Sequence, residues 1–345
     1  VGVVAGISPW NVPLILSLRA ITLPIVYGNT VVLKPSSETP VSGGLAIAEI
    51  FDKAGFPNGV LNVITNCPGA SEEIGDELIT NPKVRRISFT GSTETGRWLA
   101  EKAGRHLKRV ALELGGKDPL IVLGDADIDQ AVNAGVFGTF FHQGQVCMSV
   151  ERIIVEKPAA QEFIDKLVNK AQGLKVGDPR EPDTIIGPLI NQNQLDKVRM
   201  HVEEAIADGA KLLCGGKYDG LCYYPTVLTN VNNNMKVFSD ETFGPIAPVI
   251  VVENSDEAIQ VANDCRYGLS AGIITRDFQK GLELAEKIES GMVHINDSSV
   301  HDEPQVPFGG IKESGWGRHG GKAALEEFTE LRWISMQRTP RQYPF

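Results

Sequence analysis

The chain of 345 residues is 42% hydrophobic and 22% charged, ordinary globular material and enough for two packed domains rather than one. A formal net charge of -10, with no cluster of Lys and Arg that approaches a basic stripe, argues against a nucleic-acid partner. Five cysteines without a CxxC pair argue against a disulfide framework and a zinc site, and fit a reducing cytoplasm.

Val1 to Ile7 is a Val/Gly/Ile run closed by the turn Ser8-Pro9-Trp10-Asn11, an apolar helix-like stretch follows from Leu14, and Val31 to Leu33 is a second β-branched run ending at Lys34-Pro35. This reads as a βαβ unit. Trp10, Asn11, Pro13, Arg19, Pro24 and Asn29 interrupt the apolar opening and no basic segment precedes it, so buried strand and helix are favoured over a signal peptide or a membrane span. The alternation continues with a helix over Val41 to Lys53, a strand at Val60 to Ile64, a helix at Ser71 to Ile79, a strand at Arg86 to Phe89, a helix from Glu94 to Lys102 and a strand at Arg109 to Leu112. Such alternation predicts a doubly wound, Rossmann-like parallel α/β sheet.

From about Lys117 the pattern starts afresh, with a strand at Leu120 to Leu123, a helix from Ile128 leading to Cys147 and a strand at Arg152 to Val155. The expected division is therefore 1–115, 116–318 and a closing segment 319–345, with the first boundary in the Gly115-Gly116-Lys117-Asp118-Pro119 stretch. In the closing segment Ala323 to Phe328 reads as helix and Leu331 to Met336 as strand.

Two segments carry chemistry, Glu113-Leu114-Gly115-Gly116-Lys117 and Phe141-His142-Gln143-Gly144-Gln145-Val146-Cys147. A thiolate adds to a carbonyl, but the acyl-enzyme it forms must be cut by water, which calls for a carboxylate to activate that water. Each residue alone has a plainer reading. An isolated Cys147 is more often a buried inert thiol, Glu113 a solvated surface acid, and Asn11 a helix cap. The stretch Phe89-Thr90-Gly91-Ser92-Thr93-Glu94-Thr95-Gly96 puts glycines and hydroxyls at a helix start, an ordinary N-cap or a phosphate site. Glu241 and Phe243 alone pass for an exposed acid and a core aromatic.

With SPWN at Ser8 to Asn11, KPS at Lys34 to Ser36, FTGSTETG at Phe89 to Gly96, ETFGP at Glu241 to Pro245 and PFGG at Pro307 to Gly310, in this order, the chain resembles the aldehyde dehydrogenase superfamily from its first residue to its last. The resemblance implies that Cys147 is the nucleophile and Glu113 the general base, its pKa raised by partial burial. It also implies that Asn11 and the Cys147 N–H bind the oxyanion. The implied cofactor is NAD or NADP, its pyrophosphate at Gly91, Ser92 and Gly96, its adenine ribose at Lys34, its nicotinamide ribose at Glu241 and its ring beside Phe243. Ile7, Ser8, Pro9, Trp10, Phe89 and Leu114 complete that cleft. No metal is implied.

Departures from the family pattern refine this. Many NAD-specific members carry a carboxylate where this chain has Ser37, so NADP should be tolerated. Arg19-Ala20 and Arg318-His319 stand where many members have the Lys and Glu of a proposed proton relay, which puts that relay in doubt. Arg19, Gln145 to Ser149 and Ser298 to Glu303 resemble the benzaldehyde, vanillin and salicylaldehyde dehydrogenase branch. An aromatic aldehyde is therefore the expected substrate, in a tunnel built from Val12, Arg19, Phe141, Val146, Val300 and Phe308, with Arg19 offering a cation to a ring hydroxyl or π face. The resemblance further implies a homo-oligomer, dimer or tetramer, joined through the last strand, and a leading helical segment missing before Val1. Two other readings stay open: a CoA-acylating or thioester-hydrolysing member using the same thiol, and a protein that binds cofactor without catalysis.

Overall fold

The computed structural model describes residues 1–67 and 69–345. β1 (Val3–Ile7), α1 (Pro13–Val26) and β2 (Thr30–Lys34) form the expected βαβ unit, followed by α2 (Ala46–Lys53), β3 (Leu61–Val63), α3 (Ser71–Thr80), β4 (Val84–Thr90), α4 (Thr93–Arg105) and β5 (Arg109–Glu113). The five strands run parallel in the order β5-β4-β1-β2-β3, and Gly315–Trp316 adds an antiparallel edge to β5. Register brings their carboxyl ends to one edge, for Ile7 pairs with both Lys34 and Phe89, and Thr90 with Glu113. Ligands of open α/β sheets gather at such an edge, where strand order reverses about the first strand.

The second unit begins with β6 (Asp118–Val122), α5 (Ile128–Phe140) and β7 (Val150–Glu156). Its seven strands run His294–Ile295, Gly272–Ile274, β6, β7, Ile246–Val252, Thr226–Thr229, Lys211–Cys214, all parallel except the last. Leu120, Ile121 and Val122 in β6 and Ile153, Ile154 and Val155 in β7 are fully buried, the continuous apolar runs of a sheet covered on both faces. Among the described residues no helix is long and apolar enough to cross a membrane.

The end of the chain returns to the first unit. Ala324 and Phe328, on the helix Ala323–Phe328, join Val4, Ala20, Ile21, Val31, Leu33 and Ile47 in one core cluster. Asn29 Nδ2 donates to the Phe328 carbonyl at 3.0 Å and Arg86 Nε to that of Glu327 at 2.9 Å, so the last helical carbonyls are satisfied by side chains of the sheet. The strand expected over Leu331–Met336 is not formed: residues 329–345 have no strand or helix, and Leu331, Trp333, Ile334 and Met336 are exposed. A strand needs an edge to pair with, and this stretch pairs with none in its own chain.

Where the units meet, Lys117 and Glu151 form a buried ion pair at 2.6 Å. Glu151 also accepts the backbone N–H groups of Thr242 and Phe243, each at 2.7 Å, while Lys117 Nζ donates to Thr242 Oγ1 at 3.3 Å. Removing one partner of such a pair leaves a buried charge uncompensated. Lys117→Met should therefore lower the unfolding free energy by roughly 3–5 kcal/mol in urea titrations; a loss below about 1 kcal/mol, the value of an exposed pair, would show that the ammonium does not carry this load.

Candidate active site

α1 opens with Pro13 at its first turn, Val12 at the cap position and no side-chain cap. Asn11 is therefore not spent as a helix cap. Buried, it donates through Nδ2 to the Gln145 carbonyl at 2.9 Å, joining the first unit to the loop that carries Cys147. That loop is one tight turn after α5, in which His142, Gln143 and Gly144 all take left-handed backbone angles, with φ of 51°, 58° and 69°. Cys147 follows, lining a cavity of about 190 Å³ with Asn11, Thr90, Gly91, Leu114, Glu241 and Phe243. Burial pushes the thiol well above the usual thiol range; the charge of Glu113 adds to this and Arg19 only partly opposes it. These surroundings favour the thiol over the thiolate, unlike the electropositive surroundings of reactive cysteines.

Glu113 ends β5 and is buried, as a residue at the ligand-binding edge should be, but its charge behaves contrary to expectation. Burial favours the neutral acid, yet the His319 imidazole and the Arg19 guanidinium overcome it and bring the carboxyl down from 4.5 to about 2. Oε1 pairs with His319 Nδ1; Oε2 accepts from Arg19 Nη1 at 3.3 Å and Thr90 Oγ1 at 3.2 Å. A carboxylate only accepts, so His319 Nδ1 carries the proton, and Nε2 lies 3.0 Å from Ser88 Oγ. Glu113 is thus a firmly ionised carboxylate turned toward Arg19 and His319, and does not line the Cys147 cavity. His319, which stands where the family's relay has a Glu, and Arg19, next to the relay's Lys position, are the two that grip it.

Glu241 has the opposite character. Burial and the charge of Glu151 push it up to about 7, it accepts the Gly116 N–H at 3.0 Å, and it lines the cavity beside Cys147. Phe243, in a left-handed conformation with φ 56°, packs edge-on to Trp10 with ring centroids 5.6 Å apart.

The expected dinucleotide cleft continues from this wall. Lys34 is buried, and among the described residues its ammonium has only the Pro35 carbonyl, at 3.4 Å, an arrangement suited to ribose hydroxyl or phosphate oxygens. Ser37 beyond it is half-buried and brings no charge. Ser92 caps α4 by accepting the Thr95 N–H at 3.2 Å, leaving earlier amides of the first turn for an anion. A Cβ at Gly96 would lie 2.9 Å from Leu114 Cδ1, so glycine there lets α4 close on the strand edge. Ser8 Oγ is held by Ser17 Oγ at 2.6 Å, and Ile7 and Phe89 are paired in the sheet. These residues fit a dinucleotide.

On the substrate side Val146, Val300 and Phe308 pack around Cys147 with Met148 and Leu269. Arg19 stacks its guanidinium 4.1 Å from the Phe308 ring centre and is paired with both Glu113 and Asp302. The free cation expected for a ring hydroxyl is therefore already engaged. Arg19 and Phe308 line a second cavity with Leu18, Asp302, Val306 and His319. Val12 and Phe141 line neither cavity; Phe141 is half exposed and leans on Phe137, ring centres 5.1 Å apart. Sequence reasoning gave no role to His319, Lys117, Glu151 or His142. A His in place of an acid was the one visible signal for His319; its contact with Glu113 spans 206 residues.

The family model described as "Aldehyde dehydrogenase family" matches residues 1–334. The chain is 48% identical to a vanillin dehydrogenase of Pseudomonas fluorescens over 343 residues, 99% of this chain and 71% of that protein. It is 49% identical to a benzaldehyde dehydrogenase [NAD(+)] of Pseudomonas putida, covering 100% of this chain and 70% of the relative. The solved structure of a salicylaldehyde dehydrogenase from Pseudomonas putida G7, complexed with salicylaldehyde, superposes with a TM-score of 0.97 at 47% identity, covering 100% of this chain and 71% of that one.

The depressed Glu113 carboxyl has a consequence for stability. Since its folded pKa lies below the ordinary value, the contribution is present above about pH 4.5 and is lost as pH falls through about 2, on the order of 3 kcal/mol in all. The gap in unfolding free energy between wild type and Glu113→Gln should accordingly be widest above pH 5 and shrink toward pH 2.5. A pH-independent gap would show that the ion pairs do not hold the carboxylate.

Proposed function

The chain belongs to the aldehyde dehydrogenase family, and from that premise we propose that it oxidises aromatic aldehydes to carboxylic acids through a thioester on Cys147, using NAD or NADP. The observation that carries this reading is one cavity bringing Cys147 and Asn11 together from different units. The aromatic class is supported by its similarity to enzymes named for vanillin, benzaldehyde and salicylaldehyde, and by apolar packing around the thiol.

In the proposed reaction the thiol gives up its proton to solvent as sulfur bonds to the carbonyl carbon and the carbonyl π electrons move onto oxygen. The negative oxygen is received by the Asn11 amide and the Cys147 N–H. A nicotinamide held in this cleft would supply the acceptor for the hydride of that carbon, whose oxidation gives a thioester. Lys34, Gly91, Ser92, Gly96 and Glu241 would hold the dinucleotide. Glu113 then takes a proton from water, whose oxygen attacks the thioester carbon; the C–S bond breaks, the acid is released, and the departing sulfur takes the proton back from Glu113. For this the Glu113 side chain must leave Arg19 and His319 and turn toward Cys147. Its charge already bears on the thiol, which supports its nearness. A second reading is favoured by one observation: Glu241 shares the cavity with Cys147 and sits at about 7, the range a general base needs.

Ser37 leaves the adenosine end without a carboxylate, so NADP should be used alongside NAD. The exposed Trp333, Ile334 and Met336 suit pairing of this tail with a second copy of the chain, and the five unpaired thiols suit the reducing cytoplasm.

Cys147→Ala should abolish aldehyde oxidation, while Glu113→Gln should give a burst of reduced nicotinamide followed by slow turnover, because only deacylation is impaired. If that pattern instead belongs to Glu241→Gln, the second reading is correct. Product analysis with and without CoA separates hydrolysis from acyl transfer.

Ser37→Glu should weaken NADP binding by roughly a hundredfold more than NAD binding, about 2.7 kcal/mol, in fluorescence titrations of the apoenzyme. No detectable NADP binding by the wild type would sink the cofactor proposal. Comparison of kcat/KM for benzaldehyde, vanillin, hexanal and acetaldehyde tests the substrate class; a tenfold preference for acetaldehyde, roughly 1.4 kcal/mol, would exclude the aromatic assignment.

A further inference from the structure

Oxyanion stabilisation works only if the Asn11 amide stands at a fixed place relative to Cys147. The two belong to different units, and nothing local in the sequence fixes one against the other. A three-bond circuit does. Asn11 Nδ2 donates to the Gln145 carbonyl at 2.9 Å, Gln145 N donates to the His142 carbonyl at 3.0 Å, and His142 Nε2 returns to the Asn11 carbonyl at 2.8 Å. The ring contains both the side chain and the backbone of Asn11, so it restrains the amide's orientation as well as its position.

We infer that His142 is a positioning residue for the oxyanion site, closing this hydrogen-bonded ring between the Asn11 turn and the cysteine loop. The inference rests on the aldehyde-oxidising reading.

A carbonyl oxygen can only accept, so Nε2 carries a proton and the neutral ring is the Nε2–H tautomer. Burial lowers the imidazole pKa from its ordinary 6.5, which keeps that neutral form in place at working pH. The backbone is bent to deliver the ring. His142, Gln143 and Gly144 are three successive left-handed residues, a conformation that single residues visit and consecutive non-glycine residues avoid, and such strain persists only where surroundings over-determine it. Here they do. A Cβ at Gly144 would lie 2.6 Å from the Gly244 carbonyl carbon, so the turn is packed on the bend that follows Phe243. Gln145 Oε1 accepts the Ile190 N–H at 3.0 Å, and Thr139 Oγ1, one turn earlier, donates to the Val150 carbonyl at 3.1 Å. His142 is the member of this assembly whose side chain reaches across to the other unit's Asn11 backbone.

His142→Asn keeps an N–H donor and tolerates the left-handed backbone; His142→Phe keeps a ring and removes the donor. For each variant we would measure the single-turnover burst of reduced nicotinamide with benzaldehyde, the cofactor KM and the rate of Cys147 alkylation by iodoacetamide. The inference expects the Phe variant to lose roughly tenfold or more in burst rate, a fraction of the hundredfold typical for removing an oxyanion donor. Cofactor KM and alkylation should stay within about twofold, and the Asn variant should recover most of the burst. A Phe variant with a wild-type burst overturns it. So does a parallel loss of burst, cofactor affinity and alkylation, or an Asn variant no better than Phe, since either marks general damage to the loop. A wild type that oxidises no aldehyde sinks the proposed function instead. The ring is then judged by nitrogen-15 spectra of the imidazole: the Nε2–H tautomer supports it and the Nδ1–H tautomer overturns it.

Discussion

The buried pair of Lys117 and Glu151 governs the shape of the crevice. A carboxylate that deep needs a cation and hydrogen bonds to be tolerated as an ion. Lys117 comes from the segment that crosses between the units, and the amides come from Thr242 and Phe243. Satisfying one charge therefore fixes where the crossing begins and how the 241–243 stretch enters the cavity. Phe243 is held in a left-handed conformation that few non-glycine residues adopt, which turns its ring against Trp10 and leaves Glu241 beside Gly115 and Gly116.

Two glutamates at one crevice show how far environment overrides residue type. Glu113 is buried and Glu241 half-buried in the cavity wall, and burial alone would raise both. Glu241 keeps most of that effect because its nearest strong influence is another acid, Glu151. Glu113 loses it to an imidazole and a guanidinium within hydrogen-bonding reach. Near neutrality one group is permanently charged and the other poised between forms, the kind of divergence by which a site assigns different tasks to chemically identical side chains.

The parts of this structure that follow from local pattern were legible beforehand. Alternating β-branched runs and amphipathic stretches gave β1 to β7 with ends within a few residues, because period and turn chemistry are local properties. The meeting of Asn11 and Cys147 followed from motif resemblance. What stayed hidden depends on contacts distant in sequence. The direction in which Glu113 turns is decided by His319, which reaches it only because Phe328 and Ala324 anchor the chain end in the first unit's core. Arg19 reads as a free cation until Asp302 is found across from it. The residues Leu331 to Met336 have strand composition, but composition cannot supply the missing edge.

The half-buried sulfur of Cys147, in surroundings that favour the thiol, also bears on how the protein ages. Peroxide and other soft oxidants attack thiolates far faster than thiols, and a surface cysteine near its ordinary pKa offers a standing fraction of thiolate. At Cys147 burial and the neighbouring Glu113 charge both disfavour ionisation. Progress to sulfenic acid and beyond is accordingly disfavoured while the thiol keeps its proton. The same surroundings that disfavour the nucleophilic form of this sulfur therefore shield it from oxidants.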